Sequence, residues 1–335
     1  MKNKFFKPLK MEEFKRSPDW RNDIAFQQNT LAESMLNKLE DNINCPICDS
    51  NLSELFVNIY KHSYHECNNC GHLYLKNPPT QEALSKMYIV DDSKENESIQ
   101  GQIYLQKSLF KKRVNEIAKP KALFADELID EKGKWIDIGA GVGDLVLALK
   151  ELNWDVFGYE SDKEEVKFAR SMGVEIENKF LTNPDLRDIL IDAKVVSTIN
   201  VLEHLKEPKS FVCEISKNLK SGSYFLFEVP RFPSLSSFTN RCFPHLSARH
   251  IVSPDHLHIF SDNSMKILLK TANFSIISTW YFGQDIYELI GNAQCEGNFK
   301  DHHLVEKVLS IVNDLQLIVD KNSLSDTMLV LAQKN

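Results

Sequence analysis

The segment Trp135-Ile-Asp-Ile-Gly-Ala-Gly-Val-Gly143-Asp144 constrains this chain more than any other. A short apolar run ends in three alternate glycines, and an amphipathic stretch follows at once. Glycine adopts left-handed conformations without penalty, so such a loop turns sharply and presents bare backbone to a ligand. The opening turn of the next helix adds N–H groups with no partner of their own. A dinucleotide would need a further glycine at position 144, so that the helix packs close under the pyrophosphate. Residue 144 is Asp, whose carboxylate repels phosphate. A ligand with a cationic or zwitterionic end suits the loop better, and Asp137 is a second carboxylate placed to attract it.

From residue 134 onward, short apolar runs alternate with amphipathic stretches. Strands are expected at 135–139, 155–160, 174–177, 195–200 and 224–230, and helices at 144–152, 164–172, 185–191 and 208–219. That alternation argues for an α/β fold with a Rossmann-like parallel sheet covered by helices on both faces. Glu160 ends the second strand, twenty-one residues after Gly139, where an acid can accept both hydroxyls of a ribose. S-adenosylmethionine carries a sulfonium, an ammonium and a ribose, and so matches the loop, Asp137 and Glu160 together.

Cys45-Pro-Ile-Cys48 and Cys67-Asn-Asn-Cys70 are two C-x2-C knuckles with eighteen residues between them. Each knuckle turns two thiols onto one face, and the pair matches a structural tetrahedral zinc site in a small ribbon. Reduced structural cysteines or a redox pair are the alternatives. Lys+Arg is 40 against Asp+Glu 47, a net charge of −7, and the ribbon itself is acidic. A nucleic-acid reader would more often be basic, so nucleic acid is not the expected partner. No apolar run approaches a membrane span and no secretory leader is visible, so the expected compartment is the cytoplasm.

Residues 134–230 resemble the class I S-adenosylmethionine-dependent methyltransferases. Asp137-Ile-Gly-Ala-Gly-Val-Gly143 is similar to their first motif, Glu160 to their ribose-binding acid, and Asn200-Val-Leu-Glu-His204 to their fourth-strand motif, which often begins with Asp. With the four-cysteine segment, Gly71-His-Leu-Tyr-Leu-Lys-Asn-Pro-Pro79 and His256-Leu-His-Ile-Phe-Ser261, the chain also resembles bacterial methyltransferases of sugar, polysaccharide and natural-product pathways, over residues 41–282. The resemblance implies a zinc-binding N-terminal lobe over the substrate side. It implies cofactor contacts from Asp137, Gly139, Ala140, Gly141, Gly143, Glu160, Asn200 and Val201, with 178–181 flanking the adenine. Asp255-His256 matches a Glu-His pair that acts in the sugar C-methyltransferases.

Methyl transfer is an in-line displacement, and a nucleophile that must lose a proton calls for a base near neutrality, typically His. His256, with Asp255, and His204 are the candidates; Arg241 and Arg249 could meet a phosphate or carboxylate of a small, anionic substrate. Tyr88 and Tyr104 are candidate wall residues of the cofactor pocket. The expected organisation is an N-terminal helical arm (1–40), a zinc-binding ribbon (41–80), a helical linker or lid (81–130), and a methyltransferase core (131–335) with a cap insertion (231–262) and a helical insertion (283–325). Residues 1–16 are expected as a solvated or loosely docked arm, Thr30 as a helix cap, and Leu304, Val308, Ile311, Leu315 and Ile318 as the apolar stripe of the helical insertion. An RNA-directed methyltransferase reading RNA through the ribbon, and a non-catalytic cofactor-binding scaffold, are the alternative functions.

Overall fold

The computed structural model describes residues 3–9, 16–88, 104–297 and 303–335; the expected polar loop at 91–98 lies outside them. The strands are β1 (Lys4–Phe5), β2 (Ser53–Ile59), β3 (His62–Cys67), β4 (Leu73–Leu75), β5 (Lys134–Ile138), β6 (Asp155–Glu160), β7 (Ile176–Asn178), β8 (Ala193–Ile199), β9 (Tyr224–Pro230), β10 (His258–Ile259), β11 (Phe274–Phe282) and β12 (Thr327–Lys334). The helices are α1 (Pro18–Met35), α2 (Gln81–Tyr88), α3 (Lys107–Arg113), α4 (Lys119–Asp126), α5 (Asp144–Glu151), α6 (Lys163–Ser171), α7 (Leu186–Ile189), α8 (Pro208–Asn218), α9 (Leu235–Cys242), α10 (Asp262–Thr271), α11 (Asp285–Glu296), α12 (His303–Ser310) and α13 (Val312–Lys321). Among the described residues no helix is long and apolar enough to cross a membrane.

Eight strands form one sheet in the order β1-β11-β12-β9-β8-β5-β6-β7. All pairs are parallel except those that β12 makes with β9 and β11. The order runs outward from β5 to β7 on one side and from β8 to β9 on the other. The carboxyl ends of β5 and β8 therefore flank the switch point, where open α/β sheets leave a crevice. Side chains alternate between two cores, as a period of two requires. Phe225, Phe227 and Val229 of β9 join Phe211, Val212 and Ile215 of α8 on one face. Tyr224 and Leu226 join Phe110, Val114, Ala122 and Leu145 on the other.

A second sheet, in the order β10-β4-β3-β2, is the four-cysteine ribbon plus one strand from the 231–262 insertion. That insertion also holds the helix α9. Three expectations differ from what is found. Residues 3–9 lie along the sheet: β1 pairs in parallel with β11, Phe6 N–H donates to Tyr281 O at 2.8 Å, and Leu9 exchanges two hydrogen bonds with Asn313. The cap of α1 is Ser17, whose hydroxyl accepts from Trp20 N–H, whereas Thr30 lies mid-helix and donates to Phe26 O. Leu304, Ile311 and Ile318 face outward; α13 buries Val312, Gln316, Val319 and Asp320 instead. The reason is polar: Gln316 Nε2 donates to Asp285 Oδ2 at 2.9 Å and to Asp320 Oδ1 at 2.8 Å, and buried polar groups dictate the face when they are satisfied only on one side.

One ion pair ties a covering helix to the sheet centre: Lys121 Nζ of α4 stands 2.7 Å from Glu228 Oε2 of β9, both side chains 7% exposed. Removing one member of a buried pair strands the other charge. Lys121→Met is expected to lower unfolding free energy by about 3–5 kcal/mol in urea titrations, and the double change with Glu228→Met to recover most of it.

Candidate active site

The loop after β5 is shaped by positive φ at Gly139, Gly141 and Gly143 (72°, 53° and 79°). A Cβ on Gly139 would lie 2.5 Å from Val201 Cγ2, and one on Gly143 2.7 Å from Ile176 Cδ1, so both positions need glycine for contact as well as conformation. Gly139 and Ala140 N–H both donate to Tyr159 O, which holds the loop against β6. Asp137 is buried and accepts from Ser197 Oγ at 2.5 Å; burial pushes its carboxyl up to about 7, against that hydrogen bond. Glu160 Oε2 accepts from Gly141 N–H at 2.9 Å, and Oε1 from the Ser161 and Asp162 N–H groups. The carboxylate is thus fixed in direction by backbone. Asn178 Nδ2 donates to the Glu160 and Ser161 carbonyls.

Two residues not singled out from sequence complete this half of the crevice. Glu165 of α6 lies under the loop, its carboxyl pushed up to about 8 by burial and then by the charges of Glu160, Asp162 and Asp144. Arg113 ends α3, is 8% exposed, donates from Nη1 to Tyr104 O, and stands 3.7 Å from Asp144 Oδ2. Among the described residues its Nε and Nη2 have no hydrogen-bond partner. A buried guanidinium with two unsatisfied donors is an open socket for an anionic group. Both residues sit in charged helical stretches that read as solvated, which hid them. Tyr104 stacks on Arg113, 4.9 Å from ring centroid to guanidinium carbon. The Tyr88 side chain lies outside the described residues.

Across the switch point, Asn200 takes a positive φ of 54° and donates its N–H to Glu228 O. Val201 leads into a short 3-10 turn, Leu202–His204. Glu203 is fully buried, neither carboxylate oxygen has a hydrogen-bond partner among the described residues, and burial raises it to about 7 against the charge of His204. His204 Nδ1 donates to Asp255 O at 2.8 Å and lies 3.2 Å from Asp255 Oδ1. Burial lowers its pKa, but Asp255 and Glu203 outweigh that and lift it to about 9. The His256 ring meets His204 edge to face, 4.8 Å between centroids. His256 Nδ1 donates to His250 O at 2.8 Å, so its lone pair is on Nε2; burial and the charge of His204 hold it neutral, down to about 3.

The structure brings His204, Asp255 and His256 together at the end of β8 and adds His250, whose ring is 6.0 Å from that of His256. It does not bring in the other residues of the histidine-rich insertion. His245 pairs with Glu296 at 2.9 Å, His258 bonds Leu205 O and contacts His72, and Arg241 stacks on Phe56. Arg249 does turn inward, 2.8 Å from Asp326 Oδ2.

In the ribbon, Cys45 and Cys70 Sγ are 3.5 Å apart, as are Cys48 and Cys67, and all four sulfurs lie within 4.8 Å of one another. A tetrahedron with Zn–S near 2.3 Å needs sulfurs about 3.8 Å apart, so the donor set fits the ion.

A family profile described as a methyltransferase domain matches residues 109–279, just over half of the 335-residue chain. No curated protein sequence matches. Among solved structures, a SAM-dependent methyltransferase from Archaeoglobus fulgidus is 18% identical, covering 68% of this chain and 99% of its own, with a TM-score of 0.44. The geranyl diphosphate C-methyltransferase of Streptomyces coelicolor is 12% identical, covering 72% and 95%, with a TM-score of 0.42. On the extent of the profile match, this chain belongs to the methyltransferase-domain family.

Proposed function

We propose that the chain transfers a methyl group to a small polar metabolite, a sugar, nucleotide-sugar or related biosynthetic intermediate, with an imidazole taking the proton. The supporting observation is the charge pattern under the glycine loop. Asp137, Asp144, Glu160 and Glu165 interact with one another, and Arg113, beside Asp144 and Glu165, keeps Nε and Nη2 without a hydrogen-bond partner among the described residues. That arrangement suits a ligand with a sulfonium and ammonium on one side and a carboxylate on the other. The loop residues Gly139, Ala140, Gly141 and Gly143 would approach the amino acid end, Glu160 Oε2 would accept from the ribose, Asn200 and Val201 would line the opposite wall, and Arg113 would take the carboxylate. S-adenosylmethionine would supply the methyl group and a neutral thioether as leaving group.

For the acceptor, His256 presents the Nε2 lone pair, and His204, held by Asp255, is the neighbouring cation. An acceptor hydroxyl or carbon acid between the two rings would be made more acidic by the imidazolium of His204, and His256, held down to about 3 while that charge stands beside it, would take the proton only as negative charge develops on the acceptor. The four thiolates of Cys45, Cys48, Cys67 and Cys70 would hold a structural zinc ion, with no open position for catalysis.

Calorimetry with S-adenosylhomocysteine and with 5′-methylthioadenosine, which lacks the amino acid end, tests the cofactor half. Glu160→Ala is expected to weaken both ligands, and Arg113→Met to weaken only the first, by about 10- to 100-fold. Equal losses for both ligands in Arg113→Met, or none, would remove that assignment. Affinity for S-adenosylmethionine should also depend on pH. Asp137 and Glu165 titrate near 7 and 8 among Asp144, Glu160, Asp162, Arg113 and Lys121. A bound cation favours their ionised forms, so binding releases protons and tightens as pH rises from about 6 to 8. Asp137→Asn should flatten that rise. For the ribbon, metal analysis is expected to give one zinc per chain, lost in Cys67→Ser together with roughly 10 °C of melting temperature.

A further inference from the structure

The carboxyl end of β8 gathers three metal-donor side chains that the cofactor half of the crevice does not use. Among the described residues, one donor atom each of Glu203, His204 and His256 lie within 4.8 Å of one another, as do the four ribbon sulfurs. Glu203 and His204 belong to the 3-10 turn Leu202–His204, and His256 comes from the insertion. Backbone joins the two pieces, since Leu257 N–H donates to Glu203 O at 2.7 Å. Val201, whose side chain closes on Gly139, stands two residues before Glu203, so the cluster borders the glycine loop. Glu203 is buried and the two histidines are half-buried, which leaves the cluster a side open to the crevice.

Each donor is presented as a metal ligand would be. His204 Nδ1 donates to Asp255 O at 2.8 Å, with Asp255 Oδ1 at 3.2 Å, and His256 Nδ1 donates to His250 O at 2.8 Å. A neutral ring whose Nδ1 carries the hydrogen has its lone pair on Nε2. A carboxylate or carbonyl behind the ring is the usual support of a ligating imidazole, and both rings have one. Glu203 supplies the third donor. Its side chain is fully buried, and among the described residues neither carboxylate oxygen has a hydrogen-bond partner. A carboxylate buried without a partner is costly, and a cation held between it and two imidazoles removes that cost. Two imidazoles and one carboxylate make three protein ligands, so a bound ion would keep open positions.

We propose that Glu203, His204 and His256 bind a divalent transition-metal ion whose open positions take an oxygen of the methyl acceptor. This rests on the methyl-transfer reading and narrows its acceptor to a hydroxyl group. The acid–base pair described above is then the metal-free form of the cluster; with the ion bound, both rings are neutral ligands and the ion carries the positive charge. A hydroxyl coordinated there loses its proton to water, because the ion stabilises the alkoxide. A lone pair of that oxygen forms the O–CH3 bond while the S–CH3 pair leaves on sulfur, giving a methyl ether and a neutral thioether. The mixed nitrogen and oxygen donors suit ions from Mn2+ to Zn2+, in contrast to Mg2+ and Ca2+, which take oxygen ligands.

The test uses the untagged full chain with the ribbon zinc in place, titrated with CoCl2 and followed by visible absorption. Co2+ held by nitrogen and oxygen shows d–d bands without thiolate charge transfer, which separates this site from the cysteines. Wild type is expected to take one Co2+ with a Kd below about 100 μM. Glu203→Gln, His204→Gln and His256→Gln are each expected to weaken that binding at least about 10-fold. A cooperative thermal transition shows which variants are folded, and any folded one of the three suffices. Lactate, a bidentate oxygen ligand, is expected to shift the bands of the wild-type complex; an unmoved spectrum means a closed site and overturns the acceptor's place at the ion. Wild-type protein that takes no Co2+ up to about 1 mM, or takes it only with thiolate charge transfer, overturns the proposal, as does undiminished binding in the folded variants. Calorimetry of wild type with S-adenosylhomocysteine separates the two readings. Binding of that ligand without Co2+ keeps methyl transfer and removes the metal site; Co2+ without that ligand keeps the site and removes its acceptor role together with the methyl-transfer reading.

Discussion

The stretch from His256 to Phe260 is hydrogen-bonded on two sides at once, and the arrangement of the His204–His256 cluster depends on it. Toward the core, Leu257 N–H donates to Glu203 O at 2.7 Å and Phe260 N–H to Pro230 O at 2.9 Å. Toward the ribbon, β10 pairs antiparallel with β4, Leu75 N–H donates to Leu257 O, and Tyr64 Oη donates to the His256 carbonyl at 2.7 Å. The His256 backbone is therefore fixed by the ribbon and the sheet together. The ribbon packs Val57, Ile59, Tyr64, Leu73 and Leu75 against Ile251, Leu257 and Ile259 of the insertion, so its order extends directly to the imidazole. Ser261 Oγ, which accepts at the start of α10, also donates to Cys70 O, so the far end of the same stretch is tied to a cysteine knuckle.

Buried charge is the second organising theme. A chain with more acids than bases places Lys121, Arg113, Arg21 and Arg231 inside, each beside at least one carboxylate. Such pairs contribute little net stability but penalise any arrangement that separates them, which makes them effective in fixing which element packs where. Arg21 of α1 meets Glu288 of α11 at 2.6 Å, and Arg231 meets Asp262 at 2.6 Å beneath the cap. The polar groups inward on α13 belong to the same logic.

Much of this was legible in the sequence because the signals are local. The glycine loop, its flanking strand and helix, and the two cysteine knuckles each occupy a few consecutive residues whose spacing maps directly onto geometry. The parallel strands were legible from their period, apart from differences of one or two residues at their ends. What was not legible depends on partners far along the chain. β1 is two residues long and pairs with residues some 270 positions away, so no periodicity marks it. Arg113 and Glu165 sit in charged stretches that read as solvent-facing, and only the assembled sheet gives them an interior. The histidines of the insertion were visible as a group, yet composition could not separate His250 and His256, which face the crevice, from His245, which pairs on the surface.

The position of β12 has a consequence for how the molecule is made. This late segment does not finish an edge but slots between β9 and β11, running against both. Until residues 327–334 are present, Phe227 and Trp280 belong to two unjoined half-sheets, each with a raw hydrogen-bonding border. Folding must hold that gap open through the whole of α11 to α13, so closure is a long-range event, slow relative to the helices, and the half-formed species is where self-association would begin.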